Sequence, residues 1–439
     1  MRKSMKRLGV VAAAVAAASL VLSGCTTGGT PEEPSGTGSP ESGELNFVYM
    51  GDADQQKAFN TLFAEFNKEY PDIKLKAVGI PSGNWATFST TVATRLAGGQ
   101  KIDIIQVATE GQRLFASKGI LEDLAPYMEK DQDVVDDYFA DISPNLKKFN
   151  EQFGAGPDGE TVFIPGGFNT MAMYANKTVF DKAGVAIPED GDWTWDEFIA
   201  AGEQIKEKTG AYLTGAGSGY FVDVMPWLTT NGASTFNADW TQPTYNSPAA
   251  IEAAEFARTL VEKGLAPKPG GQFDGNTAFK QGKLATLNGG RWPVLGIRDM
   301  KMVDNTVVVN WPSKTTNGSP VGWDAWNITK NSQNKQAAWT FIKFLMSKEA
   351  GEYFSQIGGT IVPARESVAS SPAFTENAPE GTVRLSEAMS WATPIPSINQ
   401  GAEAQKVIEE AWGTIIAGQG EAKATLDKAQ ASLESLLSE

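Results

Sequence analysis

The chain has 439 residues, 37 Lys+Arg against 52 Asp+Glu for a formal charge of −15, no histidine and one cysteine. That length can bury more than one core, so two domains are expected, and the acidic balance argues against nucleic acid or an anionic membrane surface, which need a basic face. Without histidine there is no Ser-His-Asp or Cys-His mechanism and none of the usual zinc sites, and with Cys25 alone no internal disulfide.

In chain order, Arg2, Lys3, Lys6 and Arg7 precede an apolar run at 8–22 and then Leu22-Ser23-Gly24-Cys25. This reads as a secretory signal over 1–24 ending in a sequence like the bacterial lipobox, with Cys25 as the lipidated first residue of the mature protein. Residues 25–44 are a Gly/Ser/Thr/Pro/Glu tract that cannot bury enough surface to offset its own ordering, and they are predicted to be a disordered tether. No later stretch of about 20 apolar residues could span a bilayer.

The folded part opens with a buried-type strand at 45–50 and a helix at 55–69 that carries Phe59, Leu62, Phe63, Phe66 and Tyr70 on one face. A strand at 73–78, a helix through Trp85, Phe88, Val92 and Leu96, a strand at 102–107 and a helix through Phe115 follow. Strands alternating with helices predict an α/β fold with a largely parallel sheet. A β-rich run at 161–164 is predicted to break at Pro165-Gly166-Gly167 and to resume at 171–174 as the chain passes between lobes. Thr194 and Glu197 have capping-box spacing for a helix over 195–208. Beyond it come helices at 249–263 and 335–346, strands at 284–287 and 306–309, crossover strands at 321–329 and 360–363, and two closing amphipathic helices.

Five segments carry a family resemblance. MAMYANKTVFDKAGV followed by Pro188 and WTWDEF resembles the "YYNKxxFxxAGxxxPxTWxEF" segment of extracellular solute-binding proteins of ABC-type sugar importers, the family of maltose-binding-like receptors. GGQKIDIIQV (98–107), FASKGILEDL (115–124), FKQGKLATLNGGRW (279–292) and the stretch 336–365 are similar to further segments of that family, in the same order. The resemblance implies two discontinuous α/β lobes joined by crossover strands, a type II periplasmic-binding-protein-like arrangement. Lobe one would comprise 45–168 plus 324–362, and lobe two 169–323 plus 363–439. It also implies a non-enzymatic monomer, without metal or cofactor, on the extracellular face of the bacterial membrane. Such a receptor holds a carbohydrate in the interlobe cleft and passes it to the permease subunits of an importer.

Ligands of open α/β sheets lie at the carboxyl ends of strands. Those ends nominate Asp52, Gln106 and Glu110, with Phe168 and Asn169 at the first crossover. Asn169 offers both a donor and an acceptor to a hydroxyl. The resemblance adds weight to Glu110, since the matching family loop commonly supplies an acid to sugar hydroxyls. It also places Trp292, with Arg291 before it, where an aromatic platform meets a sugar face. Trp323 with Asp324 marks the second crossover, and Trp227 falls in a loop near a predicted strand end. Trp85, Trp195, Trp339 and Trp412 fit apolar helix faces or caps and are expected in the core, whereas Trp193 and Trp240 fall in polar loops. Indole faces beside Asp, Glu, Asn and Gln suit a polyhydroxylated ligand, an oligosaccharide more than a single ring. Two alternatives stay open: a carboxylate-dependent glycoside hydrolase, and a receptor of the same fold for a non-sugar solute.

Overall fold

In the computed structural model, residues 39–357 and 359–438 are described. The expected signal at 1–24, Cys25 and the tether as far as residue 38 lie outside them. The strands are β1 (Gly43–Met50), β2 (Ile73–Ile80), β3 (Ile104–Ala108), β4 (Ile164–Thr170), β5 (Ala172–Asn176), β6 (Thr286–Gly289), β7 (Thr306–Asn310), β8 (Ser319–Trp326), β9 (Val362–Pro363) and β10 (Ala392–Pro394). Thus β1 begins two residues ahead of the predicted strand.

Two sheets result. The larger has the order β2-β1-β3-β8-β4-β9, with β10 added to β8, and the smaller has the order β6-β5-β7. Among these strands, parallel pairing is confined to β1 with β2, β1 with β3 and β10 with β8. The β3–β8, β8–β4, β4–β9, β5–β6 and β5–β7 ladders are antiparallel. The expected largely parallel sheet is therefore corrected, because β4, β8 and β9, although helices separate them in the chain, enter the large sheet antiparallel to their neighbours.

Alternation along β1 sets the layers around the large sheet. Phe47 meets Phe63 at 5.7 Å and Phe341 at 5.4 Å, tying β1 to helix α1 (Ala53–Glu69) and to the helix Lys335–Met346. On the opposite face Val48, Ile105 and Val107 join Phe88, Val92 and Phe115 in a second cluster, from helices α2 (Trp85–Ala97) and α3 (Thr109–Ala116). The N-termini of α1, α2 and α3 are thereby gathered just beyond the carboxyl ends of β1, β2 and β3. Asn84 caps α2 by accepting from the Thr87 backbone N–H at 2.8 Å.

The Pro165-Gly166-Gly167 sequence does not end a strand, as predicted, but lies within β4, with a register irregularity between Pro165 and Gly167. Both glycines are there for close approach. A Cβ on Gly166 would come within 2.6 Å of the Trp326 ring, and one on Gly167 within 2.3 Å of Ile361. Only Met171 separates β4 from β5, so the chain changes sheets almost without a loop.

Around the small sheet, the helix Trp195–Thr209 starts with the predicted capping box. The Thr194 hydroxyl accepts from the Glu197 N–H at 3.2 Å, and Glu197 accepts from the Thr194 N–H at 2.8 Å. The Trp195 indole donates to the Pro312 carbonyl at 3.0 Å and stacks on Phe256 at 4.1 Å.

Candidate functional site

A cavity of about 610 Å³ opens where the ends of β1 and β3, the crossover strands β4 and β8, the N-terminus of α2 and the segment 219–222 converge. A larger groove of about 1010 Å³ runs along α2, α3 and residues 399–403. That groove has no aromatic ring in its walls, whereas the smaller cavity combines the faces of Trp85, Trp292, Phe221 and Phe59 with Gln55, Asn84, Glu110 and Gln405. Apolar faces with a few convergent polar groups are the usual make-up of a small-molecule site.

The backbone of the site is fixed by hydrogen bonds between β3, α3 and β8. The Thr109 hydroxyl accepts from the Trp323 N–H at 2.8 Å, and the Gln112 amide donates to the Trp323 carbonyl at 3.0 Å. Next to them the Gln106 side-chain N–H donates to one oxygen of Asp324. Both side chains are buried, at 6% exposure each, and Gln106 Oε1 and Asp324 Oδ1 have no partner. Burial pushes the Asp324 carboxyl up to about 7 despite the Gln106 bond that favours its charged form. Glu110, in the first turn of α3, is pushed up to about 7 by burial, opposed by a backbone hydrogen bond. On the facing side Glu409 accepts from the Gln405 amide at 2.7 Å and from the Tyr220 N–H at 2.9 Å.

Of the residues nominated from sequence, Gln106, Glu110, Phe168, Asn169, Trp292, Trp323 and Asp324 line this cavity. Two of them are more structural than expected. Asn169 accepts from the Arg291 N–H at 2.8 Å and donates to the Thr360 carbonyl at 3.2 Å, so its amide ties the crossover together. Trp323 is 1% exposed, with its indole N–H donating to Asn150 at 3.3 Å. Trp292 is half-buried, 6.3 Å from the Phe221 ring, and presents a face to the cavity.

The other three nominees lie elsewhere. Asp52 is the N-cap of α1: its carboxylate accepts from the Gln55 N–H at 2.9 Å while the Gln55 side chain accepts from the Asp52 N–H at 3.0 Å. Trp227 is buried among Trp195, Trp311 and Phe256, because the turn that carries it packs onto the helix Pro248–Glu262. Arg291 turns away from the cavity. It donates to the Phe374 carbonyl at 2.8 Å, its guanidinium lies 4.2 Å from the Phe374 ring centroid, and burial lowers its pKa to about 10.

Sequence reasoning missed Trp85, Phe221, Gln405 and Glu409. Trp85 carried a usable signal, since it directly follows the capping Asn84 and so stands at a helix N-terminus facing strand ends. Phe221 belongs to a π-helical turn, Tyr220–Val224, which no spacing announces. Gln405 and Glu409 look like an ordinary polar i,i+4 pair until the helix Gly401–Ile416 is seen against α2 and α3.

Comparison with known proteins identifies this arrangement. Residues 52–352 match the family described as bacterial extracellular solute-binding protein. A binding protein of Brucella abortus is 27% identical over 393 residues, covering 86% of this chain and 89% of its own. The erythritol/L-threitol-binding protein of Mycolicibacterium smegmatis is 24% identical over 404 residues, covering 84% and 82%. Among solved structures, an ABC substrate-binding protein from Listeria monocytogenes in complex with cycloalternan superposes with a TM-score of 0.74 at 22% identity, covering 90% of this chain and 99% of that one.

Proposed function

The chain belongs to the bacterial extracellular solute-binding protein family, whose members are substrate-binding proteins of ABC transporters and not enzymes, and from that premise we propose that it is the lipid-anchored receptor of a sugar importer. In this reading it captures an oligosaccharide between its lobes, 45–168 plus 324–362 and 169–323 plus 363–439, and delivers it as a monomer to the permease subunits. Cys25 is its membrane attachment, and among the described residues no helix is long and apolar enough to cross a bilayer.

The observation that carries the reading is the cavity wall itself. Trp85, Trp292 and Phe221 offer flat apolar faces to the C–H surface of a sugar ring, while Gln55, Asn84, Glu110 and Gln405 are spaced among them for hydroxyls. The relatives support it: one is named for erythritol and L-threitol, and another holds cycloalternan.

A thermal-shift screen against mono- and oligosaccharides tests the proposal. A cognate sugar at about 100 times its Kd adds roughly 2.7 kcal/mol of stability and raises the unfolding midpoint by degrees. A full sugar panel without a shift, beside a shift from a peptide or another non-sugar solute, would refute it.

A further inference from the structure

The charges around the cavity are one-sided. Its described walls carry the carboxyls of Glu110, Asp324 and Glu409 and neither a lysine nor an arginine. Two guanidinium groups lie outside these walls, and Arg291 Nη1 is itself without a partner. Arg291 is turned onto Phe374, and Arg365 bonds Asp137 at 2.7 Å and Asp141 at 3.1 Å behind the Tyr138 ring. In an adjoining pocket that shares Asn84, Gln405 and Glu409 with this cavity, Lys406 faces Glu410 at 3.8 Å. The three carboxyls do not make a metal centre, since no group of three or more potential metal ligands is gathered among the described residues.

Beside this imbalance stands a separate feature, the pair of partnerless acceptors Gln106 Oε1 and Asp324 Oδ1. The Gln106 N–H is already given to Asp324, and both free oxygens are closed to solvent, so a ligand donor reaches them only by a small shift of these side chains and meets acceptors alone once Asp324 is ionised. A hydroxyl can donate one hydrogen there and leaves the carboxylate without an opposite charge. An ammonium group donates three and supplies that charge, and bonds between ionised partners are roughly twice as strong as neutral ones. The aromatic faces of Trp85, Trp292 and Phe221 attract a cation as well as a sugar ring.

We propose that the ligand of this cleft carries a protonated amine, so that the receptor selects amino sugars over their hydroxyl and N-acetyl counterparts. This rests on the sugar-binding reading above and narrows it. A bound ammonium holds Asp324 and Glu110 in their charged forms, so binding near pH 7 expels protons, whereas a neutral sugar that only buries these carboxyls further takes protons up.

The test is titration calorimetry on the purified full chain with matched sets: glucose, glucosamine and N-acetylglucosamine, the galactose and mannose equivalents, and the three corresponding β-1,4 trisaccharides, with spermidine as a non-sugar amine. The amine member of a set is expected to bind at least about tenfold more tightly than its partners. Runs in two buffers of different ionisation heat should show proton release. Asp324→Asn and Glu110→Gln should each shrink the amine preference severalfold in protein that remains folded at the assay temperature. Tighter or equal binding of a neutral member, with proton uptake, overturns this inference and leaves the sugar reading standing. Binding of spermidine alone overturns the sugar reading itself. An amino-sugar set without any binding also overturns the inference.

Discussion

Trp227 and Trp292 are both tryptophans next to a proline, one inside a short helix and one capping another, and they end in opposite places. Trp227 belongs to a ring network: Trp311 lies at 4.9 Å, Phe256 at 5.2 Å, and Trp195 and Phe198 at 6.1 Å each. Trp292 has Phe221 at 6.3 Å on one side and the cavity on the other. The company decides the role. An indole enclosed by other rings holds the small sheet and its helices together, whereas an indole set among carboxyls and amides is free to meet a ligand.

Truncating the enclosed member should have the largest effect on the fold. Trp227→Ala removes a side chain that is 5% exposed from a packed network, and such truncations cost about 3–5 kcal/mol of stability. The denaturation midpoint should fall steeply while the affinity of the protein that remains folded changes little. A mild loss of stability with a large loss of affinity would erase the contrast with Trp292.

Titration separates the two regions next, because the rings of the enclosed network carry no acid and the cleft does. Asp324 is raised from 3.8 to about 7 by burial, so the folded state holds its proton more tightly than the unfolded chain. Its favourable contribution is complete below about pH 4 and gone above about pH 7. Asp324→Asn has no such loss, so its stability relative to the parent should rise between pH 4 and pH 8, by up to roughly 4 kcal/mol. Unfolding midpoints at the two pH values measure this, and a flat difference would show that Asp324 is not the group that titrates.

These contrasts also mark what could be read from the chain. The order of strands and helices was legible because apolar spacing and capping residues are local: the 335–346 helix and the Thr194 capping box appear as predicted. The cleft was legible where a residue had to stand at or just after a strand end, as with Gln106 and Glu110, or on a crossover strand, as with Asp324. It was not legible where a side chain could turn either way. Arg291 and Trp292 are adjacent, yet one folds back onto Phe374 and the other faces the cavity. Phe221 and Glu409 come from segments 188 residues apart in register with each other only after folding, as the bond from Tyr220 N–H to Glu409 shows. The large sheet's mixed direction was hidden for the same reason, since strand polarity follows from which distant strands become neighbours.

On the cleft side, Trp292→Ala should lose affinity and keep its fold. Removing a stacking face against a sugar is worth roughly 1.5–3 kcal/mol, a tenfold to hundredfold weaker Kd. Because Trp292 is already half-buried against the core, some stability should go as well, by less than for Trp227→Ala. Both quantities have to be read on the same protein. Near-normal affinity with a large fall in midpoint would move Trp292 into the same class as Trp227.

The smallest effect is the most local, and it asks whether the two regions are independent. Thr194 sits at the start of the helix Trp195–Thr209, so it fixes where Trp195 enters the ring network beside Trp227. Its hydroxyl accepts from the Glu197 N–H, and its own N–H and hydroxyl donate to the Glu197 carboxylate at 2.8 and 2.9 Å. Thr194→Ala removes the hydroxyl part of this box but leaves the backbone bond, and N-cap losses of this kind cost about 1 kcal/mol. The capping bonds are at the surface, and Trp195 keeps its own bond to Pro312 and its stack on Phe256. The helix should therefore fray at its first turn without moving the indole. Midpoint down slightly and affinity unchanged is the outcome if the ring network and the cleft are separate structures. A severalfold loss of affinity from this substitution would mean that the enclosed rings position the cleft wall, and that Trp227 and Trp292 belong to one mechanical unit after all.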